Sequence, residues 1–133
     1  MPFSLDTYLG IHPDALKLQS KRTEVIADNL ANSDTPGYKA RDIDFRAAMA
    51  SAASPDAPVK MTTDNPGHIA IDANTDASAN LKYRTPLAPA LDGNTVDTQQ
   101  EQAAFADNTV RYQATLTFLS ARFKGLMTAI TGQ

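Results

Sequence analysis

The chain has 133 residues, 42% of them hydrophobic, with 12 Lys and Arg against 15 Asp and Glu and a formal net charge of -3. This balance excludes the clustered basic face that phosphate binding requires, and with no cysteine neither a disulfide framework nor a thiolate metal site is available. No apolar run of about 18 residues is present to span a bilayer, and the N-terminus lacks the basic and apolar regions of a cleaved secretory signal.

The apolar residues are unevenly spread. Residues 105–130 carry a dense, regular apolar pattern, whereas 51–97 are rich in Ala, Pro, Asp, Asn and Thr. The layout argues against one compact globule and divides the chain into an N-terminal part (1–46), an irregular middle (47–97) and a C-terminal helix (98–133), the two termini making one structural unit. The fold class expected is mainly α: long terminal helices paired as a coiled-coil-like hairpin or bundle.

In chain order, residues 4–9 read as a short helical turn ended by Gly10. Because proline is tolerated only in a first helical turn, a long helix is predicted to begin near Pro13 or Asp14. Ala15, Leu18, Arg22, Val25, Asn29 and Asn32 follow at alternating steps of three and four, the spacing of one helix face. Lys21 and Arg22 are expected on a solvated surface. The helix must stop at Asn32-Ser33-Asp34-Thr35-Pro36-Gly37-Tyr38, since the residue before proline is pushed out of the α region and glycine supplies a positive φ; Thr35, Pro36, Gly37 and Tyr38 read as a type II turn. Asn29 and Asn32 lie on the apolar stripe where aliphatic residues would be expected. Buried amides must be hydrogen-bonded, so their side chains are predicted to fasten this turn and fix its register.

Past the turn, Ile43 and Phe45 alternate with Asp42, Asp44 and Arg46 over an extended piece, followed by a helical turn over 47–53. Asp42 and Asp44 point to one face of such a piece, and Lys39, Arg41 and Arg46 are the neighbours expected to pair with them. Proline and asparagine recur too often over 54–97 for a long element, leaving short strands near 69–71 and 81–84. Thr98-Gln99-Gln100-Glu101 matches a capping box and predicts the start of the last helix. Its apolar series is Phe105, Thr109, Tyr112, Leu116, Leu119, Phe123, Leu126 and Ile130, in steps of four and three. A repeat of about 3.5 residues keeps one seam facing a neighbouring helix. Over roughly 50 Å of helix, the shorter N-terminal helix cannot cover that seam, and the remainder is expected to be covered by other subunits; a self-contained hairpin is the alternative.

Catalytic and metal chemistry find little support. His12 and His68 are the only imidazoles, and neither sits in a nucleophile or zinc motif. Asp72-Ala73-Asn74-Thr75-Asp76 opens like a calcium loop, but Ala77 stands where the turn needs glycine and Tyr83 where a bidentate glutamate is required. No catalytic, cofactor-binding or metal site is expected, and the chain is read as a non-enzyme.

The string Asn29-Leu30-Ala31-Asn32-Ser33-Asp34-Thr35-Pro36-Gly37-Tyr38-Lys39-Ala40 resembles the N-terminal signature of the flagellar rod, hook and hook-associated axial proteins. Arg41-Asp42-Ile43-Asp44-Phe45, Asp92-Gly93-Asn94-Thr95-Val96-Asp97 and Phe105-Ala106-Asp107-Asn108 resemble its proximal rod members. The resemblance covers roughly 15–46 and 81–131. It implies a structural subunit of the basal-body rod, a drive shaft carrying torque from the MS ring towards the hook, located in the periplasm and exported without a cleaved signal by the flagellar type III apparatus. Implied partners are other copies of itself, the second proximal rod protein (FlgC) and other rod proteins, and the adaptor FliE with the MS ring; no cofactor, nucleic acid or membrane span is implied. The alternatives are another rod or hook-family axial subunit and, from a different class, a secreted coiled-coil interaction protein, which would share the heptads but has no reason to carry the Thr-Pro-Gly-Tyr signature.

Overall fold

A computed structural model describes residues 5–53, 65, 81–86, 88 and 90–132. The elements are α1 (Leu5–Leu9), α2 (His12–Ala31), β1 (Arg41–Ile43), α3 (Phe45–Ala53), β2 (Leu81–Tyr83) and α4 (Thr98–Thr131). Gly10, at φ 60°, separates α1 from α2, and Pro13 occupies the first turn of α2, where a missing N–H costs nothing. After Asn32, the Tyr38 N–H donates to the Thr35 carbonyl at 3.2 Å with Gly37 at φ 73°, as a type II turn demands.

β1 and β2 pair antiparallel, with Asp42 opposite Lys82 and Ile43 opposite Leu81. The apolar core lies on one flank of α2: Leu18, Val25 and Ile43 are buried there, with Phe45, Ala48, Met49 and Leu81 packed against them. Long-range pairs show that α4 runs antiparallel along α2: Asn29 meets Glu101, Gln19 meets Thr115 and, beyond α2, Tyr8 meets Arg122. The 34 residues of α4 outreach the 20 of α2. At about 1.5 Å per residue its last turns extend past the end of α2.

Three local expectations are corrected. The N-cap of α4 is Asp97, whose carboxylate accepts from the N–H groups of Gln99 and Gln100, so Thr98 is already helical and Glu101 is free to turn inward. An aspartate one residue earlier supplies the same oxygen geometry, and the extended backbone of residue 97 puts it in the capping position. Phe45 belongs to α3 and not to an extended piece, because Asp44 caps that helix through the Ala47 N–H. Asp42 and Asp44 do not pair with Lys39, Arg41 or Arg46; their partners come from α2 and from β2 and the residue after it. The expected strand near 69–71, the Asp72-to-Asp76 turn and His68 lie outside the described residues. Among the described residues no helix is long and apolar enough to cross a membrane.

Candidate assembly site

The last carbonyls of α2 accept from the N–H groups of Asn32 and Ser33, and a single side chain gathers the carbonyls of the turn that follows. The Asn94 Nδ2 group donates to the carbonyls of Asn32 (3.1 Å), Ser33 (2.7 Å) and Thr35 (3.0 Å). An amide has two N–H bonds, so one of these is shared. Asn94 is itself held on its own loop, its N–H donating to Asp92 Oδ1 and its Oδ1 accepting from the Val96 N–H, the local bonding that makes asparagine a turn residue. Backbone and side-chain bonds complete the grip: Gly37 N–H to the Asp92 carbonyl, Thr95 N–H to the Tyr38 carbonyl, Ala40 N–H to Thr95 Oγ1 and Lys39 Nζ to the Gly93 carbonyl. Gly37 and Gly93 meet at its centre, both at φ 73°. A Cβ on Gly93 would lie 3.8 Å from the Gly37 Cα.

The two asparagines of the α2 stripe divide the work. Asn32 stays within the turn, its Nδ2 donating to the Asp28 carbonyl and its Oδ1 accepting from the Thr35 hydroxyl. Asn29 reaches past the turn: its Nδ2 donates to the Arg41 carbonyl at 2.7 Å and its Oδ1 accepts from the Arg41 N–H at 3.1 Å. It pairs with β1 as another strand would. Tyr38 is half-buried with its hydroxyl 3.5 Å from Asn29 Oδ1, while Thr35, Pro36, Gly37 and Asp92 are exposed.

Beneath the clamp lies a four-membered charge network. Arg22 holds Asp42 in a two-pronged contact, 2.9 Å on each side; Arg84 donates to the same carboxylate at 2.8 Å and, with its other nitrogen, to Glu101. Glu101 also accepts from Asn29. Burial pushes the Asp42 carboxyl up, but its hydrogen bonds and attraction to Arg22 and Arg84 outweigh that and hold it below the usual aspartate range. For Glu101 burial wins, raising it above the usual glutamate value against the pull of Asn29 and Arg84. The Arg22 guanidinium is raised chiefly by its bond to Asp42. Removing one member strands a partly buried charge, which typically costs about 3–5 kcal/mol.

Along the α2–α4 contact the surface is polar. Glu101, Asn108 and Thr115, seven residues apart, are the buried residues of α4. Asn108 Nδ2 donates to the Gln19 carbonyl and to Thr23 Oγ1, both at 2.9 Å, and Gln19 Nε2 donates to Thr115 Oγ1 at 3.1 Å. Gln19 Oε1 and Asn108 Oδ1 are buried with no donor among the described residues. The apolar seam lies to one side of this line. Tyr112, Leu119 and Leu126 are half-buried, but Phe105 is 42%, Leu116 37%, Phe123 43% and Ile130 80% exposed. At about 100° per residue, the exposed members sit roughly 40–100° around α4 from the residues of the buried polar line.

The sequence predicted that Asn29 and Asn32 both fasten the Thr35-to-Tyr38 turn and left Asp92–Asn94 unplaced; the structure keeps Asn32 in the turn, sends Asn29 chiefly to β1 and Glu101 with its Oδ1 3.5 Å from the Tyr38 hydroxyl, and brings Asn32, Thr35, Gly37 and Tyr38 together with Asp92, Gly93 and Asn94. It missed Arg22, Arg84 and Glu101 as a network, and Gln19, Asn108 and Thr115 as the packed face. A seven-residue spacing of polar residues along α4 was the available signal for the last group.

The family described as "Flagella basal body rod protein" matches residues 9–39. The chain is 44% identical to the flagellar basal body rod protein FlgB of Escherichia coli K12 over 95% of this chain and 94% of that protein. It is 42% identical to FlgB of Aeromonas hydrophila over 100% of this chain and 99% of the relative, and 46% identical to FlgB of Cereibacter sphaeroides over 94% of each.

Proposed function

The chain belongs to the FlgB family of flagellar basal body rod proteins, and from that premise we propose how its geometry builds a rod. It is a structural subunit of the basal-body rod, working by assembly with other rod and basal-body components and not by catalysis. Residues 1–46 and 98–133 act as one assembling body, with 47–97 running between them. The clamp of Asn29, Asn32, Thr35, Pro36, Gly37, Tyr38, Asp92, Gly93 and Asn94 sets the angle and register at which the terminal helices leave it. The seam of Phe105, Tyr112, Leu116, Leu119, Phe123, Leu126 and Ile130 is the surface that neighbouring subunits cover.

The observation that carries this reading is the half-exposed seam on a helix that overhangs its own partner. An apolar line of that length on a single chain is an interaction surface in want of a second helix. A contact that climbs without closing into a ring generates a tube, which serves as a drive shaft crossing the periplasm from the MS ring towards the hook. We place the chain in the proximal rod beside copies of itself and the second proximal rod protein FlgC. The adaptor FliE joins it to the MS ring, and the flagellar type III apparatus exports it.

The test is Phe123→Asp. Phe123 is half out of the chain's own packing, so the helical content of the isolated subunit stays unchanged while rods and motility are lost, because a charge is driven into a dry interface. Normal motility in that variant removes the seam from the assembly contact.

A further inference from the structure

We propose that the polar contacts between α2 and α4 set the rotation of α4 about its own axis, and so hold its apolar flank out of the chain's own interior. Burial of apolar area alone would turn the phenylalanine side of α4 onto α2. Instead, Phe105 and Phe123 are 42% and 43% exposed while Glu101, Asn108 and Thr115 are buried. What opposes the turn is the set of bonds spaced along the helix: Glu101 to Arg84 and Asn29, Asn108 to the Gln19 carbonyl and Thr23, and Thr115 to Gln19 Nε2. A rotation of roughly 60° breaks all of them, and parts a buried carboxylate from its arginine, among the costliest losses a fold can sustain.

Stability alone is a poor reason for such a layer. Gln19 Oε1 and Asn108 Oδ1 are buried with no donor among the described residues, and leucine at either position would bury more area with no polar atom to satisfy. The layer is understandable as an angular lock, in the way that polar residues in a helical seam choose one packing among several of similar apolar content. It concerns the single chain and holds whatever covers the flank.

The test is the full chain carrying Gln19→Leu, Asn108→Leu, Thr115→Val, Glu101→Leu and Arg84→Leu together, so that every bond of the layer goes and neither charge of the Glu101–Arg84 pair is stranded. The chain has no tryptophan, so Phe105→Trp, on the part of α4 that runs alongside α2, supplies one reporter in either background, read on the monomer fraction by emission maximum and acrylamide quenching. With the polar layer intact the reporter is quenchable; in the layer variant its emission moves to the blue and quenching falls, at unchanged helical circular dichroism. Val110→Trp, on the opposite side of α4, stays quenchable in both backgrounds, which separates rotation from association. An unchanged signal from the Phe105→Trp reporter with helicity intact overturns the proposal. So does loss of helicity, which would make the polar contacts the source of the pairing and not of its angle, and so does a Phe105→Trp reporter already shielded when the polar layer is intact.

Discussion

The two ends of α4 obey different rules. Around Asp97 and Glu101 the chain satisfies itself: caps, the Asn94 clamp and the Arg22–Asp42–Arg84–Glu101 network bind α2, β1 and α4 through bonds between residues far apart in sequence. From Phe118 to Thr131 the helix carries Phe118, Phe123, Met127 and Ile130 largely in solvent, tied back only by contacts such as Arg122 to Tyr8. The first end can hold its shape in one chain. The second has apolar surface that the described residues leave in water, so stability and assembly should separate along a single helix.

The sharpest way to break that separation is at the network. Asp42→Ala leaves Arg22 and Arg84 facing each other without their carboxylate, and is expected to cost about 3–5 kcal/mol, read as a large drop in the midpoint of chemical denaturation. Next comes Asn94→Ala, which removes a donor from three carbonyls of the turn after α2 and is expected to cost about 1–3 kcal/mol in the same measurement. Gly37→Val forces a β-branched residue to a positive φ and should cost about 1–2 kcal/mol. A thermal midpoint unmoved by that change would show that the turn relaxes elsewhere.

A smaller effect follows from pH. Asp42 titrates below its ordinary value in the folded chain, so its contribution is present above the ordinary aspartate range and lost as pH falls through its folded value. Glu101 is shifted the other way; its contribution is complete below the ordinary glutamate value and fades as pH rises through its folded value. Stability is therefore expected to rise slightly on acidification from neutrality and to fall below about pH 4. Thermal scans across that range check this, and Glu101→Gln should abolish the rise while leaving the acid loss. The smallest effect belongs to the far end of α4. Ile130→Ser should change the stability of the isolated chain by no more than about 0.5 kcal/mol while reducing motility, and a larger loss of stability would erase the contrast between the two ends.

Local signals made most of the elements legible. Pro13, Gly10 and the Thr35-Pro36-Gly37-Tyr38 turn bracket α2 because proline and glycine restrict φ wherever they stand, and the spacing of apolar residues announced α4 over its whole length. The N-cap slipped by one residue because Asp97 and Thr98 offer similar oxygens and only the backbone angles choose between them. The charge network was misassigned because surface proximity along the chain favoured Lys39, Arg41 and Arg46, whereas Arg22, Arg84 and Glu101 reach Asp42 or one another across 17 to 42 residues. Family membership, carried by nearly the full chain, answers the question that heptads alone left open between a rod subunit and a secreted coiled-coil protein.

By itself, then, the amino-acid order determined to within about two residues where helices begin and end, which residues form the turn after α2, and that a long apolar line runs down the last helix, since each follows from neighbours within a few residues. Which face of that helix turns inward was decided only by tertiary contact. Glu101, Asn108 and Thr115 find partners on α2 and beside β2 that no periodicity names, and satisfying those polar groups outweighs burying the adjacent phenylalanines.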